Sequence, residues 1–172
     1  DKISNEAKKI GAVNTVFFDK KGNSVGYNTD SHGFQKALIE KLNEIPKYAL
    51  ILGTGGASQA VSYSLQKMGI KFKVVSRNTD KNFINYNDIN KDIIETYRLI
   101  INTTPLGTYP KINDIPPIPY HLINKSNILY DLIYNPKETL FLKNGKDKGC
   151  ITINGYKMLV YQAEKSWQIW NK

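Results

Sequence analysis

At 172 residues the chain is long enough for one well-cored domain with appended structure but short for a two-domain enzyme, and it has no apolar run near the roughly 20 residues needed to cross a bilayer. The hydrophobic fraction of 41% fits a folded globular protein. The net charge of +9 comes from lysines scattered among Asn and Ile rather than gathered into a basic stripe. That distribution argues against a nucleic-acid partner, although a basic field would equally attract a phosphate-rich cofactor or an anionic substrate. The one cysteine, Cys150, allows no internal disulfide, suits a small core position and fits a reducing cytoplasm. The opening, Asp1-Lys2-Ile3-Ser4-Asn5-Glu6, has neither a signal-peptide core nor a starting methionine, so the chain is expected to begin within a longer protein.

In chain order, Val13-Asn14-Thr15-Val16-Phe17-Phe18 and Ser24-Val25-Gly26-Tyr27 read as a hairpin closed by Asp19-Lys20-Lys21-Gly22-Asn23. A helix from Asp30 to Leu42 follows, with Phe34, Leu38 and Leu42 at helical spacing. Asp30 also suits its N-cap. From Tyr48 to Cys150, apolar strand-like runs alternate with helical segments, the pattern of a parallel sheet covered by helices. Tyr48 to Leu52 is the first of these runs and Phe72 to Val75 the second. Between them Ala57, Ala60, Val61, Leu65 and Met68 recur at helical spacing up to Gly69, a C-cap. Leu99 to Asn102 and Ile128 to Leu132 are later strands, and Tyr109 to Tyr120, rich in proline, is an extended loop. Met158, Leu159, Gln162, Ala163, Trp167 and Trp170 outline a closing amphipathic helix. No internal repeat is present.

The stretch Gly53-Thr54-Gly55-Gly56-Ala57-Ser58 lies between the first strand and its helix. A helix start presents unpaired N–H groups and the positive end of a dipole, which suits a pyrophosphate. Gly53 allows the tight exit from the strand, Gly55 lets the backbone approach the phosphate, and Gly56 and Ala57 add clearance. This is a Rossmann-type dinucleotide turn in a G-x-G-G-A-S variant. At the end of the second strand, Ser76-Arg77-Asn78-Thr79-Asp80-Lys81 puts no carboxylate directly where an NAD ribose would seek one. Arg77 and Lys81 favour a ribose 2′-phosphate and hence NADP, with Asp80 the counterargument.

Gly11-Ala12-Val13-Asn14-Thr15, Gly26-Tyr27-Asn28-Thr29-Asp30, the glycine turn and Gly155-Tyr156-Lys157-Met158-Leu159-Val160-Tyr161-Gln162 together resemble the shikimate dehydrogenase family. The likeness extends through Asn102-Thr103-Thr104-Pro105-Leu106-Gly107 and Asp131-Leu132-Ile133-Tyr134-Asn135-Pro136. It implies NADP-linked, reversible oxidation of shikimate to 3-dehydroshikimate in aromatic amino-acid biosynthesis. The implied fold is a doubly wound α/β Rossmann-like domain over residues 30–154, with a substrate-domain remnant at 1–29 and a helix at 155–172 packing back toward it. By the resemblance Asp30 is the carboxylate of a catalytic Lys-Asp pair. Asn14, Tyr134 and Gln162 face the substrate, while Leu132 and Gly155 lie beside the nicotinamide. The family's catalytic lysine and serine-rich motif fall upstream of the first match, so the chain alone is expected to be inactive. Lys8 and Lys9 come too close to that match to replace the lysine. Ser76-Arg77-Asn78 stands where the family has Asn-Arg-Thr, and Thr108 where it has methionine. A quinate/shikimate dehydrogenase and a non-catalytic nucleotide-binding module are the alternatives. No metal is expected, for His32 and His121 lack ligand partners at suitable spacing. A homodimer is left open.

Overall fold

The structure is a computed structural model that describes residues 1–78 and 82–172. The chain opens with β1 (Lys2–Ile3) and α1 (Asn5–Ile10), two elements with too few residues to show a periodic pattern. Ser4 starts α1 by accepting the Ala7 N–H at 3.2 Å, and Gly11 ends it in the left-handed region at φ 78°. The expected hairpin follows as β2 (Thr15–Phe18) and β3 (Ser24–Tyr27). Asp19 organises its turn by accepting the N–H groups of Lys21 and Asn23. The small sheet has the order β1-β3-β2, with β1 parallel and β2 antiparallel to β3.

After α2 (Asp30–Lys41), the chain forms β4 (Tyr48–Leu52), α3 (Gly56–Lys67), β5 (Lys71–Ser76), β6 (Ile84–Asn85), α4 (Lys91–Thr96) and β7 (Leu99–Asn102). It continues through β8 (Ile128–Asp131), α5 (Leu140–Asp147), β9 (Ile151–Ile153) and α6 (Tyr156–Trp170). The large sheet is wholly parallel, in the order β6-β5-β4-β7-β8-β9. That is the doubly wound order, and the winding reverses between β4 and β7. Leu50, Leu52, Ile100 and Leu129 pack on one face, while Ala49, Ile51, Ile101 and Tyr130 pack on the other. Burial on both faces explains why these strands read as unbroken apolar runs.

Three expectations need correction. Asp30 is not a cap: Thr29 occupies the N-cap of α2, and the Ser31 N–H goes to Asn28 Oδ1 at 3.3 Å. Trp167 and Trp170 do not lie on a buried face of α6, being 66% and 52% exposed; Met158, Ser166 and Ile169 are the buried residues. A Cβ on Gly33 would stand 2.6 Å from the Met158 carbonyl oxygen, so α2 and α6 pack closely there. The reason for the exposed indoles is helical phase: at about 100° per residue Trp167 falls on the side opposite Met158, and Trp170 about a third of a turn away, whereas Ile169 returns to the buried face. Trp170 instead donates its ring N–H to the Val16 carbonyl of β2. Finally, β8 stops at Asp131 rather than Leu132. Among the described residues, no helix is long and apolar enough to cross a membrane.

Candidate functional site

The reversal point opens a crevice of about 380 Å³ at the carboxyl edge of the sheet. Gly53, Thr54, Gly55, Ser76 and Arg77 line it, together with Thr103 to Leu106 from the loop after β7, whereas Gly56, Ala57, Leu132 and Gly155 do not. Larger hollows exist, including one of about 730 Å³ at the amino ends of the strands. Chemistry rather than size selects the crevice, because open α/β sheets bind ligands at the carboxyl edge.

The glycines of the turn have different causes. Gly53 has φ 109°, and a Cβ there would meet Thr103 Oγ1 at 2.9 Å, so the chain itself requires glycine. Gly55 and Gly56 have open space where a Cβ would sit. Nothing in the fold demands their smallness, which fits a group arriving from outside. Gly55 is the N-cap of α3 and contributes no side-chain cap bond, and the first turn holds no acidic residue. Among the described residues no side chain caps its N–H groups, which suits an anion. Ala57 lies in that turn, and Ser58 is buried behind it.

Ser76 is buried at the end of β5, where its hydroxyl accepts the Asn78 N–H at 3.0 Å. Arg77 is exposed at the rim of the crevice. Its charge works against the burial that raises the pKa of the Tyr86 phenol, which places the guanidinium near a nearly buried tyrosine that sequence reading missed. Lys81 and Asp80 lie outside the described residues.

Asn14, Asp30 and Gln162 come together where β2, α2 and α6 meet. Asn14 Oδ1 accepts the Thr29 N–H at 2.9 Å and the Thr29 hydroxyl at 3.2 Å. Gln162 Oε1, 3.3 Å from Thr29 Oγ1, is a second acceptor for that same hydroxyl proton, and Gln162 Nε2 donates to the Leu159 carbonyl. Beneath them Thr15, Thr29 and Ser166 form a buried hydroxyl cluster, with Ser166 Oγ 2.7 Å from Thr15 Oγ1 and 3.0 Å from Thr29 Oγ1. These three were missed. The available signal was Ser166 one helical turn after Gln162, on the same face. Asp30 is partly buried, which raises its pKa, while a hydrogen bond from Asn14 acts in the opposite sense. A carboxyl of this kind can hold a substrate hydroxyl and exchange its proton.

Leu132 and Gly155 are brought against each other: a Cβ on Gly155 would collide with the Leu132 carbonyl, and the Gly155 N–H donates to the Ile133 carbonyl at 3.0 Å. The need for glycine at 155 is thus met by packing alone. Tyr134 is 51% exposed, and among the described residues no hydrogen bond joins it to Asn14, Asp30 or Gln162. His32 and His121 are exposed, and no cluster of potential metal ligands occurs among the described residues.

No family model matches the chain. An NADP(+) shikimate dehydrogenase from Methanococcus aeolicus is 43% identical over 185 residues, covering 99% of this chain and 66% of that protein. The chain thus spans slightly under two thirds of its length. Shikimate 5-dehydrogenase of Thermus thermophilus, solved with NADP(H) and shikimate, superposes with a TM-score of 0.84 at 33% identity, covering 99% of this chain and 66% of that one. Quinate dehydrogenase of Corynebacterium glutamicum, solved with NAD, gives a TM-score of 0.87 at 28% identity over 98% of this chain and 66% of the other. Identity along almost the whole chain joins the doubly wound sheet, its open glycine turn and the polar cluster around Asp30 in one pattern, and on that ground the chain belongs to the shikimate dehydrogenase family.

Proposed function

We propose that the protein to which this chain contributes catalyses the NADP-linked interconversion of shikimate and 3-dehydroshikimate. In this reading the chain supplies the cofactor lobe and part of the substrate site. The observation that carries it is the pairing of an uncapped, glycine-lined helix start with a separate cluster of Asn14, Asp30 and Gln162. NADP supplies the hydride acceptor. The residues of the chain do the rest. The N–H groups at the start of α3 would hold the NADP pyrophosphate, and Arg77 would take the ribose 2′-phosphate.

Asn14 and Gln162 fix hydroxyls of the polyol, since amides offer both donor and acceptor. Asp30 would orient the reacting hydroxyl and take part in moving its proton. Oxidation of the secondary alcohol then releases one proton per hydride transferred. Tyr134 would close the substrate side, and Leu132 with Gly155 would stand beside the nicotinamide. The lone Cys150, half-buried and with burial raising its thiol pKa, suits a reducing compartment such as the cytoplasm.

The test is NADPH formation on addition of shikimate to the full-length protein. Quinate in parallel separates the nearest alternative, which differs by one hydroxyl. Shikimate-dependent NADPH formation supports the proposal. Absence of turnover with either acid, while NADP still binds, would leave a nucleotide-binding module.

A further inference from the structure

Two loops leave the carboxyl ends of β7 and β8, and one buried carboxylate anchors both. Asp131 ends β8, Asn102 ends β7, and Thr139 precedes α5; none of the three is more than 1% exposed. Asp131 Oδ1 accepts from Asn102 Nδ2 at 3.1 Å and from the Ile133 N–H at 3.1 Å. Its other oxygen accepts from the Thr139 hydroxyl at 2.6 Å. With its nitrogen committed to Asp131, Asn102 turns Oδ1 to the loop after β7. There it accepts the N–H and the hydroxyl of Thr104, at 3.0 and 2.7 Å. Thr104 Oγ1 accepts the Leu106 N–H at 3.3 Å in turn. On the other branch Thr139 Oγ1 accepts the Leu142 N–H at 3.3 Å, which caps α5.

The direction of these bonds matters more than their number. An ionised carboxylate only accepts, so it dictates which end of the Asn102 amide faces Thr104 and where the hydroxyl proton of Thr139 points. The loop also rests on the same support: a Cβ on Gly107 would lie 3.5 Å from Thr139 Cβ. Thr104 and Leu106 line the crevice, whereas Leu132 and Tyr134 lie directly beyond Asp131.

We infer that Asp131 is a positioning residue that couples the cofactor wall, Thr103 to Leu106, to the segment carrying Leu132 and Tyr134. Its carboxylate sets the geometry of both loops without itself lining the crevice. The inference rests on the proposed cofactor only for the choice of ligand. An Asp131→Asn amide would set an N–H group where three donors converge, leaving at least one of them unpaired.

The experiment combines amide hydrogen exchange with NADP titration of this chain and of its Asp131→Asn, Thr139→Val and Thr139→Ser variants. Loss of a buried bond to a charged group predicts, for Asp131→Asn and Thr139→Val, roughly tenfold or greater acceleration of exchange at Thr104, Ile133 and Leu142, and a similar weakening of NADP. Exchange at Leu50 and Ile51 in β4 stays as in the wild type. Thr139→Ser restores both readouts, because the hydroxyl is all the network needs. If Asp131→Asn does not fold, the Thr139 pair decides. Unchanged exchange at Thr104 and Ile133 in the folded variants overturns the inference, as does failure of Thr139→Ser to restore it. Failure of the wild-type chain to bind NADP would count against the proposed cofactor instead, with the exchange data still judging Asp131.

Discussion

Gly55 and Gly155 are both glycines of the sequence motifs, yet they are small for opposite reasons. Among the described residues a Cβ on Gly55 meets nothing, whereas one on Gly155 collides with the Leu132 carbonyl. Gly55→Val should therefore leave the melting temperature within about 2 °C of the wild type while weakening NADP at least about tenfold, measured by calorimetric titration. Gly155→Ala should instead destabilise the fold by about 1–3 kcal/mol in denaturant titration. Arg77→Ala should weaken NADP by about 10- to 100-fold and leave NAD nearly unaffected, because only NADP carries the 2′-phosphate that a guanidinium recognises.

Asp30 and Asp131 both have carboxyls raised by burial, to about 6 for Asp131. Their folded values exceed the usual 3.8, so the stability they contribute is fully present below that value and is lost as pH rises through the folded pKa. Asp30→Asn should accordingly match or exceed wild-type stability at pH 8 in thermal melts. In the full-length protein the same change should lower kcat/KM for shikimate by about 10²- to 10⁴-fold. Preserved folding with lost turnover would separate a catalytic carboxyl from a structural one.

At the scale of elements, α2 and α6 carry the two ends of the polar cluster, and their separation is set at Gly33. Gly33→Ala forces the helices apart against the Met158 backbone, and should cost about 1–3 kcal/mol of stability in denaturant titration. Strands buried on both faces, such as Leu99 to Asn102, were legible because an unbroken apolar run between turn residues has few other uses. The hairpin was legible from its glycine-containing turn. By contrast β1, β6 and β9 have two or three residues each, too few to show a period, and exist only because a neighbouring strand offers its edge. Trp167 and Trp170 misled because their hydrophobicity was read without their phase on the helix, which sets both away from the face marked by Met158, Ser166 and Ile169. Thr15, Thr29 and Ser166 stayed hidden for a related reason: a hydroxyl looks solvent-facing until three distant segments bury it together.

Over the whole molecule, the glycine turn shows how far local pattern reaches. The turn locates a cofactor crevice, but it would serve many dinucleotide enzymes. The polar cluster of Asn14, Asp30 and Gln162 is the second feature of the pattern, and it forms only where the small sheet, α2 and α6 converge. The charge of +9 then acts as a field favouring a phosphate-rich cofactor and an anionic acid, so the apparent affinity for NADP should fall as salt is raised.

In the proposed function the crevice and the Asp30 cluster work on one reaction. Shikimate-dependent NADPH formation by the full-length protein, with and without Asp30→Asn, tests this. Steady formation of NADPH is expected of the wild type, and its near loss in a folded, NADP-binding variant. Equal turnover by the two proteins, or a wild type that binds NADP but oxidises no shikimate, would contradict it.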